Sequence, residues 1–408
     1  MTSCRFCGHP LKHTLVDLRL SPLANAYVRT DQADLPDRLY PLHTMVCEQC
    51  KLMQVLDYEK PEVIFSDYLY FSSFSDQWLK QCCHYAETMI ERFGLSSESL
   101  VIEVASNDGY LLQFFKEKGI RVLGVEPSDK VAEVAISKGV PTDIAFFGRD
   151  TARRLRDQGI QADHMAANNV VAHVPDINDF VGGFQILLKA DAVATFEFSH
   201  SMNLILENQF DFIYHEHFSY LTLGFAQRLF AASGLRVFDV EKLPTHGGSL
   251  RLFVCHENAR HAQTAAVDQV LELEKAAGLD RMETYQGFTQ RVEAIREQSM
   301  NYLQKAKAEG RKVGAYGAAA KGNTFLNYLQ LTADHGLICC VADRNVHKQG
   351  RLMPGSRLPI VSPEELVAQL PDEIILLAWN MADEIMQQLR SLGYQGRFVQ
   401  FLPSFVVY

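Results

Sequence analysis

The chain has 408 residues, 47% hydrophobic and 22% charged, which excludes wholesale disorder and suits two or three domains of roughly 150 residues. Thirty-nine Lys and Arg stand against 49 Asp and Glu, and the resulting −10 is the wrong sign for a general phosphate-backbone binder. No stretch reaches the roughly 18 uninterrupted apolar residues of a membrane span, and the opening MTSCRFCGHPLKH lacks an apolar signal core, so a cytoplasmic protein is expected.

In that compartment thiols stay reduced, so nine cysteines read as metal ligands, nucleophiles or buried small residues rather than disulfides. Residues 1–60 hold Cys4/Cys7 and Cys47/Cys50, with Pro-rich, strand-poor sequence between. Each Cys-x-x-Cys forms a knuckle offering two thiolates to one tetrahedral Zn²⁺. The 39 residues between the pairs exceed the spacing of a compact ribbon. A redox motif would follow a strand at a helix start, and neither pair stands there. Such a closed four-sulfur ion is structural: it staples a module too small to bury enough core. Cys82, Cys83, Cys255, Cys339 and Cys340 sit in apolar periodic segments and read as core.

Residues 61–98 carry an aromatic stretch with Tyr68 and Tyr70, then a helix-period segment over 78–92. From 99 to 258 short apolar runs alternate with helical stretches: LVIEVA, RVLGVEP, ADHMAANNVV, ADAVATFEF, LRVFDVE and SLRLFVC. That alternation predicts an α/β domain with a mostly parallel sheet. Residues 259–310 read as a helical connector with breaks at Gly278 and Gly287, and 311–408 as a second, smaller α/β domain.

The stretch from Leu100 to Leu112, LVIEVASNDGYLL, is a strand, a small-residue turn and a helix start, and Glu126 ends the next strand 23 residues after Glu103. This is the layout of an adenosine-cofactor site: the turn lets backbone approach the ligand, and the second acid can accept both ribose hydroxyls. Ala105, Asn107 and Tyr110 break the strict dinucleotide fingerprint. The loop is more similar to that of S-adenosylmethionine methyltransferases, which implies cofactor contacts at Glu103, Ala105, Ser106, Asn107, Gly109, Glu126 and Asn168.

Tyr214-His215-Glu216-His217 gathers a phenol, two imidazoles and an acid after a predicted strand, near the carboxyl-end loops where α/β sheets bind ligands. His173 follows another strand in a comparable loop. A metal on His215 and His217 would need further ligands that are not evident, and no HExxH spacing exists here. A base poised near neutral pH beside a tuning carboxylate is the simpler reading. Further on, Val313 to Thr324 repeats the strand, small-residue turn and helix start. Its helix-start amides, with Lys321 and Asn323 beside them, suit a diphosphate, while close strand–helix packing would demand the same small residues. Asp343, ending the next strand, reads as a partner for a sugar hydroxyl or, more plainly, as a solvated loop acid.

With these motifs the chain resembles, over nearly its whole length, the sugar-nucleotide C-methyltransferases of branched deoxysugar biosynthesis. The cysteine pairs, EVASNDGYLL, YHEH, His246-Gly-Gly-Ser-Leu-Arg251 and the Gly314–Asn323 turn all look like signatures of that family. The resemblance implies three parts: a zinc-binding module, a Rossmann-like S-adenosylmethionine domain and a smaller Rossmann-like domain. It implies methylation of an NDP-4-keto-6-deoxyhexose beside the ketone, usually at C3. His217 would be the base, Tyr214, Glu216 and His173 would support it, and Tyr68, Tyr70, His215, Lys321 and Asn323 would meet the sugar nucleotide. The alternative is a zinc-ribbon nucleic-acid-binding protein or base methyltransferase. Against it stand the charge and the reading Ala167-Asn168-Asn169-Val170 where a base methyltransferase carries Asn/Asp-Pro-Pro-aromatic. The oligomeric state stays open.

Overall fold

A computed structural model of the chain describes residues 2–56, 58, 73 and 76–408. Tyr68 and Tyr70 lie outside the described residues. Two compact units emerge, each stitched from three segments of chain.

The first comprises Met1–Pro10, Glu59–His200 and Ser219–Ala276. Its sheet contains Leu100–Val104, Arg121–Val125, Thr142–Asp143, Ala162–Asn168, Leu188–Ser199, Leu235–Leu243 and Ser249–His256. Numbered in chain order, these strands lie side by side as 6-7-5-4-1-2-3, with the first five parallel and the seventh antiparallel to both its neighbours. All six expected strands are present. The added Thr142–Asp143 is two residues long, too short to leave a period in the sequence.

Both faces of this sheet are covered, which is why Leu100–Val104 is buried at every position. Alternation along Leu188–Ser199 shows the two sides. Thr195 meets Tyr85 of helix Asp76–Phe93. Phe196, pointing the other way, packs 4.5 Å from Phe184 of helix Ile177–Leu187 and 4.7 Å from Phe230 of helix Leu223–Ala231. Rings so buried contribute about 1.5–3 kcal/mol each. Strand order reverses between the first and fourth strands, opening a crevice at their carboxyl ends, the place where such sheets bind ligands.

The second unit comprises Leu11–Tyr58, Ser201–Phe218 and Ala277–Tyr408. The segment between the cysteine pairs is not strand-poor: His13–Pro22 and Leu39–Val46 form an antiparallel ladder that Met53–Val55 extends. Register shifts after Thr14 and Asp17, with Arg19 at φ +67°, interrupt the alternation that would have revealed the long strand. The six-stranded sheet of Val313–Tyr316, Val341–Ala342, Ile360–Val361, Glu373–Leu376, Arg397–Gln400 and Val406–Val407 runs 3-2-1-4-5-6 by its own chain order, parallel except for the last. The predicted connector yields two helices, Ala265–Ala276 and Phe288–Ala308, separated by left-handed Gly278 and Gly287 (φ +74° and +79°).

Helix Ala320–Tyr328 lies so close to the first strand of the six-stranded sheet that a Cβ on Gly322 would stand 2.6 Å from the Gly317 carbonyl oxygen and 3.1 Å from the Leu377 Cβ. Packing alone therefore accounts for that glycine. Gly322→Ala gains about 1 kcal/mol of helix propensity but forces backbone apart, at about 1–3 kcal/mol. The clash wins, and chemical denaturation is expected to show net destabilisation; a stabilised variant would refute the close packing.

Candidate functional site

The two cysteine pairs fold alike. Around Cys4 and Cys7, the Cys4 amide donates to the His9 carbonyl at 2.8 Å and the Gly8 amide to the Cys4 carbonyl at 2.9 Å, with Gly8 at φ +71°. Around Cys47 and Cys50, the Cys47 amide donates to the Leu52 carbonyl at 3.0 Å and the Lys51 amide to the Cys47 carbonyl at 2.9 Å, with Lys51 at φ +64°. These are two knuckles of one kind, and the four sulfurs lie within 4.8 Å of one another. Among the described residues the cluster consists of these four thiols, a donor set that fits a closed, tetrahedral, structural zinc.

In the first unit, the turn after strand Leu100–Val104 winds through Ala105 (φ +53°), Asn107 (+50°) and Gly109 (+78°). Only glycine adopts that region freely, so Ala105 and Asn107 carry strain of order 1–3 kcal/mol. The Glu126 carboxylate braces the turn: Oε2 accepts the Asn107 amide at 3.0 Å and Oε1 the Ser128 amide at 2.9 Å. Burial raises its pKa, and the two amides oppose the shift. Glu103 is wholly buried at the end of its strand; burial pushes it well above the carboxylate range, with the nearby Tyr110 phenol opposing. Neither Glu103 oxygen meets a partner in hydrogen-bond geometry among the described residues. The same holds for Ser106 Oγ, Asp108 Oδ1 and Asn168 Oδ1, all buried atoms at the carboxyl edge of the sheet. A ligand rich in hydroxyls, amine and ring nitrogens fits such orphans. His173 ends the 3-10 turn Val171–His173 and is half-buried. Glu197, missed in the sequence, pairs with Asn168 across the ladder and holds Arg251 at 3.1 Å and Thr245 at 3.3 Å.

In the second unit, the Tyr214–His217 turn sorts its members by exposure. His215 and Glu216 are buried; Tyr214 and His217 are half-exposed. His217 Nδ1 lies 3.0 Å from the Phe212 carbonyl oxygen, which can only accept, so the proton sits on Nδ1. Nε2 then carries the lone pair, and the Tyr214 hydroxyl donates to it at 2.6 Å. His215 donates Nε2–H to the Pro41 carbonyl at 3.2 Å, and burial holds its pKa down to about 4. Glu216 does not reach His217: its Oε2 accepts from Asn25 Nδ2 at 2.6 Å, and burial pushes it up to about 7. No local signal marks Asn25, which lies 191 residues away in sequence.

Lys321, at the start of helix Ala320–Tyr328, holds its ammonium 4.4 Å from the Phe212 ring and 4.9 Å from the Trp379 ring, bonded to Asn380. Burial lowers its pKa to about 8, with Asp211 opposing. Trp379 in turn donates Nε1–H to buried Asp211 at 2.8 Å. The tryptophan was a usable signal, one of two in the chain, closing a predicted strand. Asn323 is wholly buried beside Asn327.

Three family models match in order: a zinc binding domain over residues 4–65, a methyltransferase domain over 78–240 and a C-methyltransferase C-terminal domain over 244–403. The C-methyltransferase NovU of Streptomyces niveus is 35% identical over 402 residues, covering 98% of this chain and 95% of that protein. Among solved structures, magnesium protoporphyrin IX methyltransferase of Synechocystis, with bound SAH, is 14% identical over 48% of this chain and 92% of its own, at a TM-score of 0.35. An S-adenosylmethionine-dependent methyltransferase of Clostridium acetobutylicum is 11% identical over 44% and 92%, also at 0.35. The cofactors are S-adenosylmethionine and zinc.

Elemental analysis of the reduced protein is expected to find one zinc per chain, lost in Cys47→Ser together with thermal stability. Zinc retained by that variant would place the ion elsewhere. Glu126→Ala removes the acceptor of two turn amides, and calorimetry should show S-adenosylhomocysteine binding weakened about 10–100-fold. Unchanged affinity would leave Glu126 no part in the cofactor site.

Proposed function

The chain belongs to the C-methyltransferase family, and we propose that it methylates the carbon beside the ketone of an NDP-4-keto-6-deoxyhexose, at C3, with His217 as general base. The observation that carries the assignment is the bond between His217 Nδ1 and the Phe212 carbonyl, which supports Nε2 as the unprotonated, basic nitrogen of a half-exposed ring. His215, buried and spending its Nε2 proton on Pro41, is the poorer candidate.

A carbon acid beside a carbonyl loses its proton too slowly to water, and a positioned base supplies typically ~10²–10⁴-fold. In this reading the Tyr214 hydroxyl turns from Nε2 to the substrate ketone oxygen, and the Nε2 lone pair it uncovers takes the proton while the C–H electron pair moves into the enolate. The phenol hydrogen then stabilises the charge that gathers on the enolate oxygen, an oxyanion-type role. Bound S-adenosylmethionine supplies the electrophilic methyl group. Lys321, mostly protonated below its pKa of about 8, is the proposed cation for the substrate diphosphate. His215 and Asn323, both buried, are left to support the turns around them.

With S-adenosylhomocysteine bound so that transfer cannot occur, wild-type protein should exchange the proton beside the ketone for deuterium from heavy water. His217→Asn should lose at least ~10² of that rate and keep cofactor affinity, whereas His215→Asn should retain exchange. The reverse pattern would make His215 the base. Loss in neither would put the base elsewhere, with His173 next.

A further inference from the structure

Two adjacent cysteines, Cys339 and Cys340, lead into strand Val341–Ala342 of the six-stranded sheet, and their sulfurs stand 3.6 Å apart. Neighbours along an extended chain point to opposite faces, so this meeting needs a cause. The backbone supplies it. The Ala315 amide donates to the Cys340 carbonyl at 3.0 Å, and a regular parallel ladder would then bring the Cys340 amide to the Val313 carbonyl. The Cys339 amide donates there instead, at 2.9 Å. One extra residue occupies that step, a bulge, which lets both sulfurs come to one side. Cys82 and Cys83 make the contrast. They too are adjacent, but helix Asp76–Phe93 turns successive side chains about 100° apart, leaving Cys82 buried and Cys83 half-buried.

The two thiols of the bulge differ in access. Cys340 is buried and Cys339 half-buried, so a small solute meets Cys339 first. The Cys340 S–H, donating to Cys339, brings the Cys339 thiol below its ordinary range; burial opposes this and the Lys312 ammonium assists it. The same bond, and burial, push the Cys340 thiol up. Thiolate character, access and a second thiol in contact are what a reversibly oxidised cysteine needs.

We propose that Cys339–Cys340 is an oxidation site for a peroxide, with Cys339 the thiol that reacts and Cys340 the thiol that resolves it, and that closure slackens the adjoining strand. The Cys339 thiolate attacks one peroxide oxygen, the O–O bond breaks, and the departing hydroxide takes up the thiol's proton as water. The Cys339 sulfenic acid then gives up its hydroxyl, with the Cys340 proton, as a second water while the S–S bond forms. Two electrons pass from the two sulfurs to one peroxide. Consecutive Cα atoms lie about 3.8 Å apart, below the roughly 4.4–6.8 Å that disulfides span, so the bond is strained and readily reduced, suited to a switch and unsuited to a staple. Bringing the sulfurs together also twists the peptide between the two residues. The groups flanking that peptide, Cys339 N–H and Cys340 C=O, are the ones bonded to Val313 and Ala315, in the strand that runs into the turn before Lys321.

The test treats the full, zinc-loaded chain with hydrogen peroxide, blocks the remaining thiols with N-ethylmaleimide and reads tryptic peptides by mass spectrometry, which keeps the four zinc-site cysteines apart from this pair. Peptide 322–344, whose cysteines are Cys339 and Cys340, should lose two hydrogens and regain them with dithiothreitol. Peptide 81–92, with Cys82 and Cys83, should stay alkylated. In Cys340→Ser, dimedone should instead trap a sulfenic acid on Cys339, whereas Cys339→Ser should give neither product. Amide hydrogen exchange at Ala315 should speed up several-fold in the oxidised protein and return on reduction. Peptide 322–344 found fully alkylated, or oxidised no faster than 81–92, overturns the oxidation site. Exchange at Ala315 unchanged by closure overturns the slackened strand.

Discussion

One short segment, Asp211 to Phe218, must hold the imidazole of the proposed base in a single tautomer, and it has almost no regular secondary structure to do so. Its rigidity comes from outside. Trp379 grips Asp211, and Thr324 donates to the Ile213 carbonyl at 3.0 Å, both from the C-terminal part of the chain. Pro41 receives His215, Asn25 holds Glu216, and the Val55 amide donates to the Phe218 carbonyl at 3.1 Å, all from the N-terminal part. Five of the eight residues of the segment are thus hydrogen-bonded to chain far away in sequence. With Asp211 and Ile213 tethered, the Phe212 carbonyl between them is fixed, and that carbonyl sets the proton on His217. This also explains why Ser201–Phe218 leaves the surrounding methyltransferase sequence to join the second unit.

What could be read in the sequence was local. Each knuckle and the turn after Leu100–Val104 depend on residues a few places apart, Glu126 stands 23 residues after Glu103, and the strand itself reads as a short apolar run. The YHEH segment was legible as chemistry, yet its wiring was not. Adjacency in sequence suggested that Glu216 tunes His217, but neighbours in a tight turn point apart, and the carboxyl goes to Asn25 while the imidazole goes to Tyr214. No pattern links residues 191 apart. The long strand His13–Pro22 escaped for a different reason, since bulges put Leu15 and Val16 both inside and destroyed the alternation.

Besides Glu126, four buried carboxyls among the described residues are raised by burial, and their partners separate their roles. Glu197 faces Arg251, so a full cation repays its desolvation and favours a charged, structural group. Asp211 has the Trp379 N–H and Lys321 and settles at about 6. Glu103 and Glu216 have no cation bonded to them among the described residues. For Glu103 the cofactor's own ammonium and sulfonium charges are the fitting complement, because opposite charge in a buried site pulls a carboxyl back toward ionisation. Glu216 has the side-chain and backbone N–H groups of Asn25, both neutral donors, which orient the carboxyl and only partly oppose the effect of burial.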